Sequence, residues 1–182
     1  MAALASTNTE TTLWNIDPSH SDVQFAVKHL GLMTVRGHFD KVNGTATLEN
    51  DKLASFQAHI DAASINTRVG DRDKHLRSAD FFDTDQFPDL TFNSTQVLEV
   101  GPNVYKVTGD LTIVGQSHPV ELDVEVTDAI KDPWGLTRRS AVAHTQISRK
   151  QWGLVYNQIL ETGGFAVGDE VKITIEVEAT AA

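Results

Sequence analysis

Asp22-Val23-Gln24-Phe25-Ala26-Val27-Lys28-His29 decides the fold: Val23, Phe25, Val27 and His29 fall on one side of an extended chain, and Asp22, Gln24, Ala26 and Lys28 on the other. A period of two marks a strand with one buried face. The alternation returns through Phe56–Ala62, Tyr105–Ile113, Val120–Thr127 and Val171–Ala179. Less regular strands are expected over Val35–Leu48, Leu90–Leu98 and Leu136–Ile147, which brings the total to about eight, joined by short turns as in an antiparallel meander. Turn residues mark the boundaries at Glu49–Lys52, Gly101–Asn103, Gly115-Gln116 and Asp132-Pro133.

So many half-buried strands must close or stack. Gly37, Gly44 and Gly109 lie inside strand patterns, where glycine marks a bend or a bulge, and curvature favours a barrel over a flat sandwich. The expected fold class is all-β: an eight-stranded antiparallel barrel with one or two short helices. Asp71–Asp80 breaks the alternation and reads as the helix, with acids in its first turn and Asp73 spaced to meet Arg77. Arg149–Phe165 is long for a hairpin loop and carries Trp152, Tyr156, Phe165 and a Gly163-Gly164 hinge. It reads equally as a functional lid or as a plug on the barrel end.

The whole chain has 182 residues, the size of one domain. Residues 1–12, small and polar, are expected to form a disordered leader, and residues 13–182 a single barrel domain. Fifteen basic against 25 acidic residues leave a net charge of −10, the wrong sign for neutralising a phosphate backbone, so no nucleic-acid partner is expected. No apolar run reaches the ~20 residues of a membrane span. The first residues lack the basic and apolar regions of a secretory signal, which points to a cytoplasmic location. Cysteine is absent, which excludes disulfides, thiol nucleophiles, zinc ribbons and iron–sulfur clusters.

Catalytic templates are missing as well: there is no G-x-S-x-G elbow, phosphate-binding glycine loop or H-E-x-x-H helix. Asp80–Asp85 is acidic, yet lacks the turn glycine and closing glutamate of a calcium loop. No two of the seven histidines have the spacing that points both at one ion. His29 falls on the apolar side of its strand, either as a hydrogen-bonded core histidine or as a contact for a ligand headgroup. Arg72, His75 and Arg77 share the short helix, which can receive an anion or a carbonyl if it borders the barrel mouth, or be balanced by Asp71 and Asp73. The inward rows hold many small residues, so an elongated apolar cavity is expected. No cofactor is expected.

Nine strings then match one family in order: W-N-I-D-P-S-H-S at Trp14–Ser21, F-A-V-K-H-L-G at Phe25–Gly31, G-H-F-D at Gly37–Asp40, S-I-N-T-R at Ser64–Arg68, R-D-K-H-L-R-S-A-D-F-F-D at Arg72–Asp83, P-D-L-T-F-N-S at Pro88–Ser94, G-D-L-T-I-V-G at Gly109–Gly115, I-S-R-K-Q-W-G-L at Ile147–Leu154 and V-G-D-E-V-K-I-T-I-E at Val167–Glu176. The chain resembles the YceI-like family of bacterial polyisoprenoid-binding proteins from Trp14 to about Ala179. The resemblance implies an extended lipocalin-like barrel whose apolar tunnel takes an isoprenoid lipid, either a polyprenyl phosphate or a quinone tail, for binding, storage or transport. It also implies a homodimer. Phe25, His29, Phe39, Phe82 and Phe92 fall in matched motifs and would line or cap that tunnel. Arg72, His75 and Arg149 would serve its headgroup end or buried structural pairing. Many relatives are periplasmic, so this chain's polar start departs from them. Two other readings stand beside the non-catalytic carrier. One is a packed-barrel stress or interaction protein without ligand. The other is an enzyme on an apolar substrate, with His75 or His29 as acid/base and Arg72 or Arg149 holding an anion.

Overall fold

The computed structural model describes residues 9–161 and 163–182. Its strands are β1 (Thr11–Ile16), β2 (Asp22–His29), β3 (Met33–Phe39), β4 (Val42–Glu49), β5 (Lys52–Asp61), β6 (Ile65–Asn66), β7 (Asp89–Gly101), β8 (Val104–Ile113), β9 (Gln116–Val126), β10 (Ile130–Lys131), β11 (Thr137–Ser148) and β12 (Val167–Ala181). One helix, α1 (Gly70–Arg77), and three single-turn 3₁₀ segments complete the order. The ladder β11-β9-β8-β7-β5-β4-β1-β12 closes on itself through a β11–β12 pairing, so eight antiparallel strands form the barrel. The β2-β3 hairpin and β6 extend the wall from the other stretch of β12.

Several turns follow from side-chain chemistry. Asn50 and Asp51 (φ 49° and 68°) join β4 to β5, and Val114 and Gly115 (φ 49° and 69°) join β8 to β9. Two consecutive positive-φ residues make the turn whose twist matches that of the flanking strands. Val35–Leu48, expected as one strand, is two, because the chain reverses at Asp40-Lys41. Their amide N–H groups donate to the Ser64 backbone carbonyl (3.1 Å) and Ser64 Oγ (3.1 Å). β1 begins at Thr11, inside the stretch expected to be a leader, and residues 1–8 of that stretch lie outside the described residues.

Two of the three strand glycines differ from expectation, while Gly109 lies opposite a register shift between Ser94 and Gln96. Gly37 and Gly44 sit in ladders with no register shift beside them, so neither is a bulge. A Cβ on Gly37 would fall 2.4 Å from the tip of the Phe25 ring, and one on Gly109 2.4 Å from that of Phe92. The glycines leave room for aromatic rings that lie across the inner wall.

Helix α1 ends at Arg77, earlier than expected, because Ser78 turns out of the helical region (ψ 172°) and its hydroxyl donates to the His75 carbonyl at 2.7 Å. The expected Asp73–Arg77 pairing is replaced by a staple to the preceding loop. Buried Asp73 accepts from the Thr67 N–H (2.8 Å) and hydroxyl (2.5 Å), and Arg72 Nε donates to that hydroxyl oxygen at 2.7 Å. Arg77 donates to the Ala63 and Ile65 carbonyls at 2.7 and 2.8 Å. These bonds hold α1 and the turns after it against one end of the barrel.

Candidate functional site

The barrel interior is a tunnel of two chambers. The larger, about 1210 Å³ of atom-free space counted with its mouth, lies at the α1 end; the smaller, about 680 Å³ on the same measure, lies at the opposite end. Ile16, Phe56, Leu122, Ile175 and Val177 line both and form a waist between them. The period-two pattern builds this lining directly: Val23, Phe25 and Val27 of β2 and Val171, Ile173, Ile175 and Val177 of β12 supply alternate residues to it.

Phe25, Phe39, Phe82 and Phe92 all line the larger chamber. Phe39 contacts Phe25 with ring centroids 5.8 Å apart and Phe82 edge-on at 5.9 Å. His29 does not join them. It ends β2 in an exposed position outside the lining, because the strand runs beyond the barrel rim before its last residue. Arg149 lines the chamber as well and is 4% exposed. Its guanidinium donates to the backbone carbonyls of Gly168 (2.8 Å), Leu154 and Val167 (3.4 Å), tying the segment after β11 to the start of β12. Burial pushes its pKa below the usual arginine range, with Asp169 opposing.

Arg72 and His75 also lie outside the lining. Arg72 is held by Thr67, through its hydroxyl and its carbonyl (2.9 Å). His75 Nε2 meets the Asp80 carboxylate at 2.8 Å, and its ring packs edge-on against Phe81 (5.1 Å) and Tyr156 (4.8 Å). That aromatic triad joins the α1 segment to the segment between β11 and β12. This segment has a buried base and a more exposed outer part. Trp152, fully buried, donates its indole N–H to the Leu111 carbonyl at 2.9 Å and anchors the base. Beyond it Tyr156 docks on the triad, and Asn157 holds β12 by two bonds to the Val167 backbone, at 2.7 and 2.9 Å. Leu154 and Phe81 form the chamber's ceiling.

The sequence reading missed the smaller chamber's end, built by Trp14, Leu48, Leu53, Val126 and Arg139. Parity along β11 carries the signal: Arg139 shares its row with the lining residues Ala141 and Ala143. No histidine, aspartate or glutamate lines either chamber among the described residues. The arrangement therefore offers a long apolar enclosure with arginine at both ends, suited to holding a chain.

Comparison with known proteins places this architecture. Residues 14–179 match the YceI-like domain. A UPF0312 protein of Staphylococcus epidermidis is 37% identical over 170 residues, which cover 92% of this chain and 96% of that protein. The crystal structure of Burkholderia cenocepacia BcnA superposes with a TM-score of 0.78 at 26% identity, covering 90% of this chain and 98% of that one. A polyisoprenoid-binding domain from Saccharophagus degradans, implicated in plant cell wall breakdown, has a TM-score of 0.69 at 16% identity over 93% of this chain and 98% of its own. At that identity it shares the fold.

Proposed function

This chain belongs to the YceI-like domain family, and on that premise we propose that it binds an isoprenoid lipid lengthwise inside the barrel, as a non-catalytic carrier or store. The observation that carries the reading is the tunnel itself. Its walls are apolar except for Arg139 and Ser140 in the smaller chamber and Gln24, Thr145 and Arg149 in the larger. Burial of a methylene group contributes about 0.8 kcal/mol, so an isoprenoid chain gains affinity along its length without any polar contact. The larger chamber's aromatic and branched side chains suit a methyl-branched, unsaturated chain, and the ligand enters beneath the ceiling of Phe81 and Leu154. The resemblance of the barrel to a polyisoprenoid-binding domain supports the same class of ligand.

Native mass spectrometry of the purified protein, followed by organic extraction, tests the proposal. A near-stoichiometric isoprenoid is expected, retained by Lys52→Ala and lost in Phe92→Asp, which sets a charge against the Phe56 ring 5.9 Å away. An empty protein that refuses added polyprenols and quinones refutes it.

A further inference from the structure

Arg139 is the tunnel residue whose chemistry an apolar chain leaves unused. It stands on the inward row of β11, 6% exposed, with Trp14, Leu48 and Val126 around the same chamber. Its Nη2 bonds the carboxylate of Asp51, an exposed residue of the β4–β5 turn, and its guanidinium carbon lies 5.4 Å from the centroid of the Trp14 ring. Its Nε–H has no acceptor, and among the described residues it is the one buried side-chain nitrogen or oxygen so placed. Nε and Nη2 form one edge of the guanidinium, the edge that grips a carboxylate or carbonyl, and Asp51 occupies half of it. Buried donors are almost always paired, so an orphan on the wall of a chamber marks a missing partner.

The arginines at the other end differ. Arg72 and Arg77 bond Thr67, Ala63 and Ile65, and Arg149 bonds three backbone carbonyls, so their positions there are explained by the fold they hold. Arg138, next in sequence to Arg139 but facing outward, is matched by Asp17, Asp132 and Glu178.

We propose that the Trp14–Arg139 end of the tunnel is the binding site for the oxygen-bearing terminus of the ligand. A carbonyl or carboxylate oxygen accepts from Arg139 Nε, while the apolar chain runs back through the waist into the larger chamber. The inference rests on the reading of the tunnel as a chain-binding site and sets the ligand's direction within it. The polar terminus lies opposite to where the resemblance put it, beside Arg72, His75 and Arg149. Trp14 offers a flat apolar wall beneath the head, and Asp51, at the surface, can turn into water when an anion takes its place.

Two probes with matched chains separate the claims: palmitate, labelled with ¹³C at its carboxyl carbon, and hexadecane. Each displaces a polarity-sensitive apolar dye from the full chain. Palmitate is expected to bind at least about tenfold tighter than hexadecane, the scale of a hydrogen bond to a charged group. Arg139→Met is expected to abolish that preference, so that the two probes bind alike. Asp51→Asn, a surface change that spares the barrel, is expected to strengthen palmitate binding by freeing the guanidinium edge. The bound carboxyl signal should remain that of the ionised acid to lower pH than in water. Equal preference in the wild type and Arg139→Met, or a carboxyl signal that titrates as in water, overturns the assignment while the tunnel reading survives. Refusal of both probes by the wild type overturns the tunnel reading and the assignment together.

Discussion

At Gly37 the inner wall of β3 carries a hydrogen where any other residue would place a carbon, and the Phe25 ring from the neighbouring strand fills that space. The ring lies against β3 and meets the Phe39 ring at a tilt of 52°. Gly37→Ala would put a methyl group 2.4 Å from the ring tip and 2.8 Å from the Thr67 side chain. Both clashes lie in the packed wall, so the ring must leave its place. Overpacking of this kind costs about 1–3 kcal/mol, and a drop in thermal midpoint of several degrees, read by circular dichroism, is the expected result. The displaced ring has the larger chamber to move into, so ligand retention should fall with stability. Phe25→Leu in the same background is expected to restore part of the midpoint, because the smaller side chain clears the added methyl group. The alternation of β2 put Phe25 on the inner face from sequence alone, whereas the reason for Gly37 became visible only when Phe25 was found opposite it.

Among the elements, the segment between β11 and β12 borders the larger chamber through Arg149 and Leu154. Its base is fixed by Trp152 and Arg149, both buried, while its outer part rests on Tyr156, Asn157 and the pairing of Ile159 with Phe165. Tyr156 touches His75 and Phe81 at 4.8 and 5.1 Å, and each such aromatic contact contributes about 0.5–1.5 kcal/mol. Tyr156→Ala therefore favours opening of the segment without touching the chamber walls. A prenol should be released several-fold faster, with uptake accelerated in parallel and the dissociation constant changed much less, as stopped-flow fluorescence would show. Period and turn chemistry made most elements legible: β2, β5, β8, β9 and β12 are regular because each has one apolar face. The Asp40-Lys41 reversal was hidden, since its stabilising partner, Ser64, is distant in sequence and no glycine or proline accompanies Asp40 to mark the turn. His29 was misjudged because alternation tells which way a side chain points but not where the barrel rim ends. Arg139 escaped notice for the opposite reason: its parity was readable, but a charge on the inward row contradicts the expectation that such rows are apolar.

At the scale of the molecule, the division of the closed barrel's interior governs what it can hold: Ile16, Phe56, Leu122, Ile175 and Val177 stand between a large chamber and a small one and line both. A chain with no polar terminus and short enough for the larger chamber has no need of the far end, while a longer one must pass the waist and fill both. Ala141 lines the smaller chamber alone, between its ladder partners Val126 and Val177, so a larger side chain there alters one compartment and leaves the ceiling and the aromatic wall intact. Ala141→Trp is therefore expected to shorten the tunnel. Farnesane, a short branched hydrocarbon with no polar terminus, should bind as tightly as it does to the wild type, and octaprenol should lose at least about tenfold in affinity, since displacing only two methylene groups from the chamber costs roughly 1.6 kcal/mol. Competition between the two ligands, read by native mass spectrometry, measures that ratio directly. Circular dichroism shows whether the new indole has been accommodated in the chamber. An unchanged ratio in a folded variant would mean that ligands lie wholly on the α1 side of the waist, and that the smaller chamber takes no part in measuring their length.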